Sequence, residues 1–208
     1  MKKALTVFIA LSLIALLCCS CGKTKTYIAE ITVENYGVIT VQLDAKTAPI
    51  TVANFVKLAN EGFYDGLTFH RIFSGFMIQG GDPNGNGTGG SDETIKGEFS
   101  ANGVKNNISH VRGVISMARS SSYNSASSQF FIVHEDSTYL DGKYAAFGHV
   151  ISGMEVVDAI CEDAEPTRWQ RNHSGGETAR HHQHQNHRRI KNADACFSRL
   201  CQKGKQLS

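Results

Sequence analysis

Disulfide chemistry has little to work with in this 208-residue chain. Of its six cysteines, Cys18, Cys19 and Cys21 lie in the leader, Cys196 and Cys201 in the tail, and only Cys161 in between. No disulfide framework follows, and Cys161 reads as a small buried residue rather than a nucleophile. Long apolar runs are missing too. The one candidate, Ala4 to Leu17, has 14 residues, short of the roughly 20 that a helix needs to cross a bilayer. Net charge is also small, +2, but that value hides an asymmetry. Residues 1–167 carry 12 basic and 17 acidic side chains, whereas residues 168–208 carry 9 basic and 2 acidic ones. Two compositions are joined in one chain.

The leader pairs Lys2 and Lys3 with the apolar run and ends in Ser20-Cys21-Gly22, which is how a secretory signal reads. It resembles a bacterial lipoprotein signal over residues 1–21, with Cys21 as the lipid-modified first residue of the mature chain. Cys18 departs from that pattern, standing where such signals usually carry Leu. The expectation is a protein exported and lipid-anchored at the outer face of the cell membrane, with plain secretion or a retained anchor helix as the alternatives.

From Tyr27 onward the apolar residues alternate. Ile28 to Val33 and Val38 to Leu43 flank Asn35-Tyr36-Gly37, the pattern of a hairpin. Ala48-Pro49 opens a helix, with Val52, Phe55, Val56 and Ala59 at helical spacing and Gly62 ending it. Strand-like runs follow at 68–73, 76–79, 113–118, 129–133 and 145–150, then a short helix at 154–160. Many short strands with only two helices indicate a mainly β closed barrel or sandwich.

Period-two alternation places Arg71 on the face of Phe69 and Phe73, Met77 with Gln79, Ser116 with Ala118, and Gln129 with Phe131. A basic residue on an apolar face is unusual, because charges are seldom buried without a partner. For an isolated arginine the ordinary reading is a surface charge with a buried stem. Here the surrounding runs decide otherwise.

The run FHRIFSGFMIQGGD from Phe69 to Asp82 is followed by NGTGG from Asn86, SMA from Ser116, SQFFI from Ser128 and YLDGKYAAFG from Tyr139. In order and spacing these closely resemble the cyclophilins, over roughly Ile28 to Ile160, in the compact bacterial form. The resemblance implies an eight-stranded antiparallel β-barrel capped by two helices, within a domain at 27–167. It implies a peptidyl-prolyl cis-trans isomerase that acts on proline-containing polypeptides and assists the folding of exported proteins. It places the catalytic arginine on Arg71, the proline pocket on Phe76, Met77, Phe131 and Leu140, and the groups holding the substrate backbone on Gln79, Ala118 and Gln129. Tyr139 stands where many eukaryotic members have Trp, weakening the expectation of tight cyclosporin binding, and Tyr144 where they have His, altering the pocket rim. No cofactor or metal is called for, and a monomer is expected. The alternative is a proline-peptide binding module or holdase with little turnover, or a poorly functional truncated product.

Other motifs point to less. GGDPNGNGTGG, Gly80 to Gly90, lacks the Lys-Ser/Thr ending of a P-loop, so it reads as a flexible barrel loop. His70 reads as a hydrogen-bonded core histidine, and the serines from Ser120 to Ser128 lack a His/Asp set to activate them. In the tail, five of the nine histidines follow Thr167, yet neither a metal site nor nucleic-acid binding is the favoured reading. The tail offers no β-type run for the closing strand that cyclophilins place beside their first. A one-nucleotide shift of frame would turn residues 181–187, HHQHQNH, into a strand-like Ile/Thr-rich run, so 168–208 is read as an out-of-frame, disordered extension and the barrel as lacking its last strand.

Overall fold

The computed structural model describes residues 26–164. The leader with Cys21, the tail at 168–208 and the last residues of the expected domain lie outside the described residues. Seven strands form one antiparallel sheet: β1 (Tyr27–Val33), β2 (Gly37–Leu43), β3 (Arg71–Phe73), β4 (Met77–Gly80), β5 (Val114–Met117), β6 (Phe130–Val133) and β7 (Ala146–Ser152). Their order is β1-β2-β7-β5-β6-β4-β3. Among the described residues the fold is a curled, seven-stranded antiparallel sheet with two edges, β1 and β3, and the eighth strand of the expected barrel is not among them.

The hairpin forms where alternation placed it. Tyr27 pairs with Leu43 and Val33 with Gly37, and Asn35 takes the left-handed conformation at φ 65° that Asn tolerates better than most residues. Ala29, Ile31 and Val33 of β1 and Ile39, Val41 and Leu43 of β2 face one core.

Two helices cover that core: α1 (Pro49–Asn60) and α2 (Met154–Asp163). Pro49 occupies the first turn of α1, where its missing N–H costs nothing. The buried stripe of α1 is Thr51, Val52, Phe55 and Leu58, with Val56 and Ala59 only partly covered, so the apolar face is centred one position away from the expected one. Phe55 is the hub. Its ring lies 5.2 Å from Tyr64, 5.4 Å from Phe130 and 5.3 Å from Phe147. α2 adds Val156, Val157, Ile160 and Cys161 to the same core. Burial pushes the Cys161 thiol up to about 12, in keeping with a packing role. Gly153, at φ 91°, lies so close to the Val38 carbonyl that a Cβ would collide with it, which brings the start of α2 down onto β2.

The α1 N-terminus has no local cap. Ala48 precedes the helix without a side-chain hydrogen bond, and the carboxylate of Glu98, 2% exposed, accepts instead from the Ile50 amide at 3.1 Å, the Thr51 amide at 2.7 Å and the Thr51 hydroxyl at 2.7 Å. A negative charge at this end also suits the helix dipole.

Candidate active site

β3, β4, β5 and β6 are short, and their outer face gathers a second apolar cluster, separate from the main core. Met77, Val114, Phe131, Val133, Leu140 and Ala146 are buried in it, with Phe73, Phe76, Ile108, Ala118 and Tyr144 packed against them. Register explains the grouping: Gln79 of β4 pairs with both Arg71 of β3 and Phe131 of β6, while Ser116 of β5 pairs with Phe131. Tyr139 and Leu140 arrive on a 3-10 turn, Thr138–Leu140, which sets the exposed Tyr139 ring 5.9 Å from Phe76. Every pocket residue expected from the sequence stands on this face.

Arg71 lies at its edge. Its guanidinium is 5.8 Å from the Phe73 ring and 6.0 Å from that of Phe76, and it donates to Gln79 Oε1 at 3.2 Å. Gln79 Nε2 in turn donates to Gln129 Oε1 at 2.8 Å, and Gln129 Nε2 to the carbonyls of Gly89 at 2.6 Å and Gly87 at 3.2 Å. Each amide is thereby fixed in orientation by the next. Arg71 is exposed yet flanked by the Phe73 and Phe76 rings. Desolvation there lowers its pKa from the ordinary value, against the opposing influence of Tyr144 and Tyr139. An arginine remains charged under any such shift.

One expectation fails. Phe69 does not share the face of Arg71; it lies in the main core, 6.3 Å from the Phe130 ring. Alternation holds only within continuous strand, and β3 begins at Arg71, so the rule was extended across residues that are not extended partners. His70 is buried.

Sequence reasoning missed what lies beneath the cleft. His110 is fully buried, its ring stacked at 17° and 6.0 Å against Phe131. Its Nδ1 is 2.8 Å from Asp141 Oδ1 and its Nε2 3.0 Å from Ser116 Oγ. Because a carboxylate only accepts, Nδ1 carries the proton; burial holds the ring's pKa below the ordinary histidine value, against Asp141, so Nε2 of the neutral ring accepts from Ser116. The order Asp-His-Ser is that of a hydrolase triad. Ser116 is 0% exposed, so no substrate reaches its oxygen, and the set braces Phe131. Asp141 was within reach of the sequence, in the Tyr139 to Gly148 run, but nothing local marks His110, whose carboxylate partner is 31 residues away.

The glycine-rich loop is tied by internal hydrogen bonds. Asp82, 1% exposed, accepts from the amides of Asn84, Asn86 and Gly87. Amides spent on a protein carboxylate are not there to cradle a phosphate. Asp44, Asp82 and Asp141 are all held below the ordinary aspartate range: burial alone raises each, and it is outweighed by hydrogen bonds from Thr47 and Lys46, from the loop amides, and from Ser109 and His110, respectively. A depressed carboxylate contributes stability above its unfolded pKa, about 3.9, and that contribution is lost as pH falls through the folded value. The urea midpoint should therefore drop as pH is lowered from about 5 to about 3. Asp82→Asn should start lower and fall less steeply; a slope equal to that of the wild type would deny Asp82 this part.

Comparison with known proteins agrees with the geometry. The family described as cyclophilin type peptidyl-prolyl cis-trans isomerase/CLD matches residues 28–191. Peptidyl-prolyl cis-trans isomerase B of Bacillus subtilis is 53% identical over 114 residues, covering 55% of this chain and 76% of the relative. A peptidyl-prolyl cis-trans isomerase of Helicobacter pylori is 47% identical over 128 residues, covering 61% and 76%. Among solved structures, a Cryptosporidium parvum cyclophilin type peptidyl-prolyl cis-trans isomerase, crystallised in the presence of the dipeptide Ala-Pro, superposes with a TM-score of 0.60 at 32% identity over 66% of this chain and 86% of its own.

Proposed function

Because the chain belongs to the cyclophilin-type peptidyl-prolyl cis-trans isomerase family and is such an isomerase, we propose that Arg71 is its catalytic donor. Gln79 aims it, and the second apolar cluster grips the proline ring. Phe131, Leu140, Phe76 and Met77 receive the ring; Ala118 and Gln129 hold the backbone; Tyr139 and Tyr144 form the rim. The observation that carries this reading is the hydrogen-bonded series Arg71–Gln79–Gln129 running along an apolar cleft.

The barrier to X-Pro rotation is set by amide resonance, about 18–20 kcal/mol for a peptide bond, and unassisted exchange takes tens to hundreds of seconds. No bond has to break. As the amide twists, the proline nitrogen becomes pyramidal and regains its lone pair, so a donor aimed at it stabilises the transition state more than either planar ground state. Arg71 is permanently charged, and Gln79 is the only acceptor among the described residues that takes one of its hydrogen bonds. The rigid apolar floor, braced by His110 and Ser116, keeps the ring still while the acyl side turns.

The partners on this reading are proline-containing polypeptides, a reading supported by the Cryptosporidium relative crystallised with Ala-Pro. We place the protein outside the cell, lipid-anchored through Cys21, with its barrel lacking the closing strand beside β1 that an in-frame ending would supply. A protease-coupled assay on a short X-Pro peptide tests the activity. Substoichiometric protein should accelerate exchange; slowing or acceleration only in proportion to bound peptide would make it a binding module instead.

A further inference from the structure

The β3–β4 turn, residues 74–76, carries Phe76 at the cleft edge, and its fastening comes from elsewhere in the chain. The Gly75 amide donates to His134 Nδ1 at 2.9 Å, while the Phe76 carbonyl accepts from the amide of His134 at 2.8 Å and of Glu135 at 3.4 Å. Gly75 itself has open space around it: a Cβ built there would meet nothing within 4 Å. Within the turn the Phe76 amide donates to the Phe73 carbonyl at 2.9 Å, and the imidazole adds the side-chain tie at Gly75.

On its other side the same ring meets α2. His134 Nε2 lies 3.1 Å from Asp158 Oδ1, with the histidine side chain 13% exposed. An amide N–H only donates and a carboxylate only accepts, so Nδ1 must be bare and Nε2 must carry the proton. The observed geometry selects one neutral tautomer.

Asp158 is itself engaged at 2.7 Å through both oxygens by Arg112 Nη2, which fixes the carboxylate that the imidazole meets. Arg112 Nη1 donates to the His134 carbonyl at 2.8 Å and lies 4.0 Å from Glu135. Asp136 accepts from the Arg112 amide at 2.8 Å, and Cys161 of α2, beside Asp158 and Arg112, has its thiol pushed up to about 12 and is neutral.

We propose that His134 is a positioning residue for the isomerase: its ring ties the Gly75 amide to α2 and so keeps Phe76 against the cleft, and without that tie substrate binding weakens. The proposal rests on the isomerase reading for its kinetic consequence, but the tie itself is a property of the free protein. His134 takes no part in the chemistry and acts only through Phe76.

The test compares wild type, His134→Asn and His134→Ala at one pH. Asn places an amide oxygen close to where Nδ1 stands. His134→Ala should raise KM for an X-Pro peptide roughly 3- to 10-fold, the worth of one ordinary hydrogen bond, with kcat little changed, and His134→Asn should restore most of the wild-type KM. On the ligand-free protein, amide hydrogen exchange at Gly75, followed by NMR, should quicken in His134→Ala and stay near the wild-type rate in His134→Asn. A KM for His134→Ala equal to that of wild type, or Gly75 exchange indifferent to the substitution, overturns the proposal. A wild type without turnover would fail the isomerase reading alone, because Gly75 exchange still reads the tie.

Discussion

Arg71→Ala should lower kcat/KM for an X-Pro peptide by about 10²- to 10³-fold, the usual consequence of deleting one donor aimed at developing transition-state charge. The folded state should survive. Arg71 is exposed at the end of a three-residue strand, so its removal opens no core cavity, and its one hydrogen bond to Gln79 is at the surface. Arg71→Lys should restore little. A lysine keeps the charge, but it cannot hold the planar fork that lets one nitrogen bind Gln79 while another faces the substrate. The protease-coupled rate, read beside an unchanged thermal midpoint, checks both variants, and a near-wild-type rate for Arg71→Ala would remove the arginine from the mechanism.

The second large effect concerns stability. Glu98→Ala should cost about 2–4 kcal/mol, combining the loss of a helix cap with the exposure of buried, unpartnered donors. Thr51 is 0% exposed, so water cannot easily replace the carboxylate at its amide and hydroxyl. For a domain of this size the thermal midpoint should fall by roughly 10 °C. Glu98→Gln should fall less, since one oxygen can still accept. Activity measured well below the midpoint should persist, because Glu98 is tied to α1 and not to the cleft. A midpoint within a degree or two of wild type would mean that the cap contributes nothing net.

Both variants probe features that differ in how openly the sequence displays them. Arg71 was legible: it sits in a long run of motif, and its neighbours Phe76, Met77, Gln79, Phe131 and Leu140 fall on the face that strand pairing then assembled. Glu98 was not. It lies 47 residues from the Thr51 amide that it caps, in a stretch with no periodicity, and nothing near α1 signals that the helix borrows its cap. The same holds for His110 under Phe131 and for His134 at Gly75, each of which looks from the sequence like one more histidine. Phe69 shows the converse limit, for alternation was read across residues where the chain is not in a strand.

The sequence by itself determined the local geometry: the β1–β2 hairpin, the two helices, the short strands and the motif residues of the cleft. Their signals are written within a turn or a strand of one another, where the spacing of side chains along the backbone is set by periodicity alone. Only the tertiary structure decided which face each strand turns to the cleft, that a buried Asp-His-Ser set braces the pocket floor, and which distant carboxylate or imidazole fastens each turn. A hydrogen bond between residues tens of positions apart depends on two side chains arriving at one point, and no local pattern in either segment records that meeting.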